Sequence, residues 1–291
     1  MKMNPVDFYN SSSFYESNDG LKLHFRDLGS KNSPHAIMCV PGLTRNSRDF
    51  EDLAPYLAEN YRVICPDLRG RGLSDYDPNW KNYHPLTYTD DLWKLLNNLD
   101  ISKVCIIGTS LGGLISMVMA FQDANRLSGV IMNDIGPEID QQGLERIKKY
   151  AGLLPPVKNW DEAALQTKEV YGPWLKGLDE SIWLKLAKRA YRTNADNQPV
   201  LDMDDNIGRA IKEVGEQKGN PWELFDGLKN TNTLVLRGEI SDILTDEILI
   251  KMKKRNPNIE YAVIPDRGHV PLLDEETSLT AINNFLKVSC Q

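Results

Sequence analysis

The chain has 291 residues, 34 Lys and Arg against 41 Asp and Glu for a net charge of −7, and 41% apolar with 8% aromatic residues. A mild acidic excess with no basic stripe removes the electrostatic reason to expect nucleic acid or an anionic membrane as partner. The most apolar run, Leu114 to Phe121, is interrupted by Ser116 and falls far short of the roughly 20 residues a bilayer requires. The opening Met1-Lys2-Met3-Asn4-Pro5-Val6-Asp7 lacks the apolar stretch of a secretory signal, so a soluble, cytoplasmic protein is expected.

Phe14 and Tyr15, then Asn18-Asp19-Gly20, then Leu21, Leu23 and Phe25 in alternation predict an N-terminal antiparallel hairpin with a tight turn. Four short apolar runs follow, 36–40, 61–65, 104–107 and 130–132, whose near-continuous apolarity fits strands covered on both faces. Helical patterns lie between them over 49–59, 87–99 and 111–123, and Thr87 with Asp90 forms a weak capping box for the second. Such alternation predicts βαβ units and an open, mostly parallel α/β sheet. It resumes with a strand over 233–236, a helix over 245–255, a strand over 259–264 and a last helix from about Glu275 to Leu286.

Cys39, Cys65 and Cys105 each fall inside a strand-like run, where free cysteine behaves as a small hydrophobe, and Cys290 stands at an end expected to fray. No pair has zinc-ligand or CxxC spacing, so neither a metal nor a cofactor is expected. Residues 137–228 break the rhythm: amphipathic stretches replace strand-like runs and carry Trp160, Trp174, Trp183 and Trp222. Pro155-Pro156, Gly172-Pro173, Gly177 and Gly219-Asn220-Pro221 punctuate them. The prediction is a helical insertion over 137–228 in a core formed by 1–136 and 229–291.

The strongest local signal is Gly108-Thr109-Ser110-Leu111-Gly112-Gly113, a G-x-S-x-G pattern between a buried strand and a helix. Composition alone would produce it about 0.1 times in a chain of this size. A tight turn there lifts the serine above the sheet, glycines two positions either side give it room, and the helix N-terminus faces any developing negative charge. A serine hydroxyl is a weak nucleophile until a base takes its proton. His24 lies in the hairpin, His35 precedes the first parallel strand and His84 precedes a helix. Only His269, in Asp266-Arg267-Gly268-His269-Val270-Pro271, follows the C-terminal end of a core strand, the edge where open α/β sheets place their sites. A carboxylate must then orient the imidazole. Asp242, 27 residues before His269, follows the preceding strand and is the expected partner; Asp134, beside the turn-forming Gly136-Pro137, is the rival.

Together these residues resemble the α/β-hydrolase superfamily over nearly the whole chain. The resemblance rests on Pro41-Gly42-Leu43, Asp67-Leu68-Arg69-Gly70-Arg71-Gly72-Leu73-Ser74, the Gly108 to Gly113 turn, the helical insertion as a lid, Ser241-Asp242 and Gly268-His269. It implies an oxyanion hole from the backbone N–H groups of Leu43 and Leu111. Many relatives carry His before the glycine of the first loop, where this chain has Pro41. Asp67 to Ser74 is expected to shape a loop, Arg45-Asn46-Ser47-Arg48 to solvate a loop and cap a helix rather than clamp a carboxylate. The lid tryptophans are expected to pack helices, with one or two lining an acyl pocket.

The expected function is hydrolysis of a carboxylic ester, lactone or related small acyl compound through an acyl-serine, with catalytic Ser110, Asp242 and His269. A lid interrupted by many Gly and Pro residues predicts short to medium esters. The alternatives are carbon–carbon hydrolysis of a diketone-type substrate by the same residues and a small-molecule receptor on the same fold.

Overall fold

The computed structural model describes residues 5–151, 154–213 and 220–290. Met1 to Asn4 of the opening segment and Gly219 of the predicted turn lie outside them. After a short helix α1 (Pro5–Asn10), strands β1 (Ser12–Glu16) and β2 (Lys22–Leu28) form the expected hairpin. The chain continues through β3 (Ala36–Val40), α2 (Leu53–Leu57), β4 (Arg62–Pro66), α3 (Pro85–Asn98), β5 (Val104–Thr109), α4 (Leu111–Asp123) and β6 (Leu127–Asn133).

Two helix starts differ from expectation for local reasons. The helix predicted over 49–59 begins instead as a 3-10 turn, Ser47–Phe50, because the Asn46 side chain accepts the Arg48 N–H. Helix α3 is capped by His84, whose ring accepts the Leu86 N–H, with Pro85 at the first helical position; Thr87 therefore lies inside the helix.

After β6 come α5 (Gln141–Tyr150), α6 (Trp160–Tyr171), α7 (Glu180–Ala190), a hairpin of β7 (Tyr191–Thr193) and β8 (Pro199–Leu201), α8 (Asn206–Glu213) and α9 (Pro221–Asp226). That hairpin was not foreseen. Its three-residue strands are too short for an apolar run, and register comes from the antiparallel pairing of Tyr191 with Leu201. The chain closes with β9 (Thr233–Gly238), α10 (Asp246–Arg255), β10 (Glu260–Ile264) and α11 (Glu276–Ser289).

The main sheet has eight strands in the order β1-β2-β4-β3-β5-β6-β9-β10. Pairings of β1 with β2 and β2 with β4 are antiparallel and the rest are parallel. Successive side chains of a strand enter opposite layers: Met38 and Val40 join the cluster under α3, α4 and α10, while Ile37 and Cys39 join that under α2 and α11. All four cysteines are free and buried. Cys290 does not fray with the chain end, because α11 seats it in the same layer as Cys105. Among the described residues no helix is long and apolar enough to cross a membrane. The parallel strands β3, β4, β5, β6, β9 and β10 all end at one edge, and the site lies there.

Candidate active site

Ser110 stands between β5 and α4 at φ 52 and ψ −111, a conformation a non-glycine residue adopts only when its surroundings impose it. Its N–H bonds the Asn133 carbonyl at 3.0 Å, and its own carbonyl accepts the Gly113 and Leu114 N–H groups. The glycines are steric necessities. A Cβ on Gly108 would lie 2.4 Å from the Gly112 backbone, and one on Gly112 would lie 2.2 Å from the Val40 carbonyl oxygen.

His269 arrives on the loop after β10 and is 5% exposed. Its Nε2 lies 2.9 Å from Ser110 Oγ and its Nδ1 2.8 Å from Asp134 Oδ2. An ionised carboxylate only accepts, so Nδ1 carries the proton and Nε2 accepts from the serine hydroxyl. Asp134 is fully buried at φ 56 and uses both oxygens: Oδ1 takes the Gly238 N–H at 2.7 Å, and Oδ2 takes the Ser241 hydroxyl at 2.6 Å as well as His269.

Asp242 is therefore not the partner of His269. Both its oxygens are taken by Arg146 of α5, Nε at 2.6 Å and Nη2 at 2.7 Å, with the guanidinium 4.6 Å from the centre of the Trp174 ring. The register explains the exchange. Thr109, Asn133 and Leu236 lie side by side in the sheet, so Ser110 and Asp134 leave adjacent strands at the same level. Asp242 follows the end of β9 by four residues and has turned toward the insertion. Spacing along the chain could not reveal that turn. Ser241, named in the sequence only as part of Ser241-Asp242, donates to the Asp134 carboxylate that holds His269.

Other residues hold the constellation. Asn133 Nδ2 donates to the Pro271 carbonyl at 3.0 Å, and Glu275 accepts the Leu272 and Leu273 N–H groups, tethering the His269 loop. Arg71, fully buried, donates from Nε to the Leu43 carbonyl at 2.8 Å, so the Asp67 to Ser74 segment does shape its surroundings. Asp67 within it accepts the Ser47 and Leu73 N–H groups and pairs with His24. His24 is a buried structural histidine, His84 a helix cap, and His35 precedes the N-terminal end of β3, leaving His269 at the edge. Among the described residues, neither the Leu43 nor the Leu111 N–H donates to another group of the protein.

Two cavities meet at Ser110 and Leu43. The smaller, about 120 Å³, is walled by His269, Arg45, Arg189, Tyr150 and Tyr171 among others. Burial pushes the Tyr150 phenol above its usual range and keeps it neutral. Burial opposes the Arg45 charge, yet Asp49 outweighs it and holds the guanidinium protonated. The larger, about 760 Å³, is lined by Leu111, Leu114, Met117, Ile207 and Leu224 among others. None of the four tryptophans of residues 137–228 lines either cavity; Trp183 packs against Leu175 and Leu186 instead. Among the described residues no three metal-binding side chains converge.

A mostly parallel eight-stranded sheet, interrupted after β6 by helices and carrying hydroxyl, imidazole and carboxylate at one edge, defines an α/β-fold hydrolase. The chain belongs to the family described as alpha/beta hydrolase fold, which matches residues 35–276. It is similar to the 3-hydroxybutyrate-oligomer hydrolase of Cupriavidus necator, 27% identical, with 91% of this chain and 92% of that protein covered. It also resembles the 2-(acetamidomethylene)succinate hydrolase of Mesorhizobium japonicum, 24% identical, covering 89% and 91%. The crystal structure of an alpha/beta hydrolase from Novosphingobium aromaticivorans superposes with a TM-score of 0.90 at 40% identity, over 95% of this chain and 98% of that one.

Proposed function

We propose that the protein hydrolyses carboxylic esters or lactones of small molecules through an acyl-serine, with Ser110 as nucleophile, His269 as base and then acid, and Asp134 orienting His269. The observation that carries this is the unbroken chain from Ser110 Oγ through His269 to the buried Asp134. Ser110 Oγ attacks the acyl carbon while its proton passes to His269 Nε2. The Leu43 and Leu111 N–H groups receive the developing oxyanion. As the carbon–oxygen bond breaks, His269 returns the proton to the leaving alkoxide. Water, deprotonated by His269, then attacks the acyl-serine and restores Ser110.

Residues 137–228 serve as the lid over a core of 1–136 and 229–291, since Ile147, Tyr150, Tyr171 and Arg189 all face the smaller cavity from that segment. Kinship with a protein named for oligomers of a hydroxy acid supports an ester as substrate over a diketone.

The test is labelling with a fluorophosphonate probe alongside hydrolysis of nitrophenyl esters, a lactone and a ring-cleavage diketone. Ser110 is expected to be labelled, and Ser110→Ala to lose labelling and at least about 10³-fold in kcat. Labelling that survives the substitution would reject Ser110, and turnover of the diketone alone would reject the ester.

A further inference from the structure

Resting on the acyl-serine reading above, we infer that the smaller cavity receives the leaving alcohol, and that this alcohol is a short hydroxy acid whose carboxylate meets Arg45. A tetrahedral centre on Ser110 Oγ has three other substituents, and the walls distribute them. The oxyanion faces Leu43 and Leu111. The leaving oxygen must come within hydrogen-bond reach of His269 Nε2 to be protonated, and His269, Val270 and Leu272 line only the smaller cavity. The acyl chain is left with the larger one, whose Leu111, Leu114 and Met117 do not border the smaller. The larger cavity gives the acyl side room for a longer chain than the short to medium one expected from glycine and proline in the insertion.

The chemistry of the smaller cavity narrows the alcohol further. Arg45 gives Nε and Nη2 to Asp49, and Tyr171 stands against the same guanidinium, its ring centre 6.0 Å away. Arg189 is engaged by Glu51 and Asp52, which do not line the cavity. Leu175, Leu186 and Leu272 supply the apolar part of the wall, and Asp49, held by Arg45, is its one carboxylate among the described residues. An alkyl alcohol would cover the Arg45 guanidinium without giving it a further acceptor, whereas a carboxylate would form a charge-assisted bond there.

The experiment uses the full-length protein with butyryl esters differing only in the alcohol: ethanol, octanol, 3-hydroxybutyric acid and the methyl ester of that acid. The free acid is expected to exceed its methyl ester in kcat/KM by at least about 10-fold, the worth of one charge-assisted hydrogen bond. The octyl ester is expected to fall below the ethyl ester, and lengthening the acyl chain at constant ethanol to be tolerated. Arg45→Met should bring the ratio of acid to methyl ester close to one, and Arg45→Lys should restore part of it. A wild-type ratio near one overturns the inference without need of any variant, as does a ratio unchanged by Arg45→Met. Hydrolysis of these esters with no preference for the acid would discard only this inference. Failure to hydrolyse any ester, with Ser110 unlabelled, would discard the acyl-serine reading beneath it.

Discussion

Ser241 Oγ and His269 Nδ1 converge on the same oxygen of Asp134, at 2.6 and 2.8 Å. Ser241 Oγ also accepts the Ile243 and Leu244 N–H groups, so its one proton is committed to the carboxylate. Ser241 is thereby a positioning residue for His269 at one remove. Ser241→Ala is expected to lower kcat/KM about 10-fold and to move the acid limb of its pH profile upward, because Asp134 then holds the imidazolium more strongly. Ser241→Thr, which keeps the donor, should restore the profile. An unchanged pH profile in the alanine variant would reduce Ser241 to a packing role.

Asparagine in place of each aspartate separates the two candidates. In a comparable triad the neutral amide cost about 10⁴ in kcat by misorienting the imidazole. Asp134→Asn is expected to show a loss of that order, while Asp242→Asn frees Arg146 and should reduce activity only modestly. Both are measured as purified, folded proteins on one ester, and the opposite ranking would return the role to Asp242.

Gly112→Ala tests the close approach of α4 to β3. The added methyl would meet the backbone carbonyl of Val40, which has no rotamer to move away. A loss of at least about 2 kcal/mol in urea unfolding is expected. Stability equal to wild type would show that the two elements can separate at little cost.

Asp202, beside β8, faces Arg48 and Arg192, with Asp67 nearby. Burial lifts its carboxyl from 3.8 to about 6 despite those arginines. A raised carboxyl means the folded state holds a proton that the unfolded chain releases near 3.8. Its contribution is thus fully present below pH 3.8 and is lost as pH rises through about 6. The amount is about 3 kcal/mol. Asp202→Asn should flatten the fall in unfolding free energy between pH 4 and 6 relative to wild type, and a parallel pair of curves would contradict the shift.

The sequence by itself determined the mostly parallel sheet and the Ser110 turn, because these rest on local signals: an apolar run long enough for a covered strand, a helix-period pattern, and glycines where a side chain would strike backbone. It also singled out His269, since the end of a core strand leaves a short loop little choice of edge. The carboxylate was decided only in three dimensions. Asp134 and Asp242 both follow strands that end at that edge, and sequence distance favoured Asp242. Lateral register puts Asp134 level with Ser110, while Arg146, from a helix nearly a hundred residues away, draws Asp242 aside. The short β7–β8 hairpin, the meeting of Arg45 with Tyr171 and the division of space into two cavities depend likewise on contacts between distant segments. Side chains that meet only after the chain has packed leave no periodicity in the sequence to mark them.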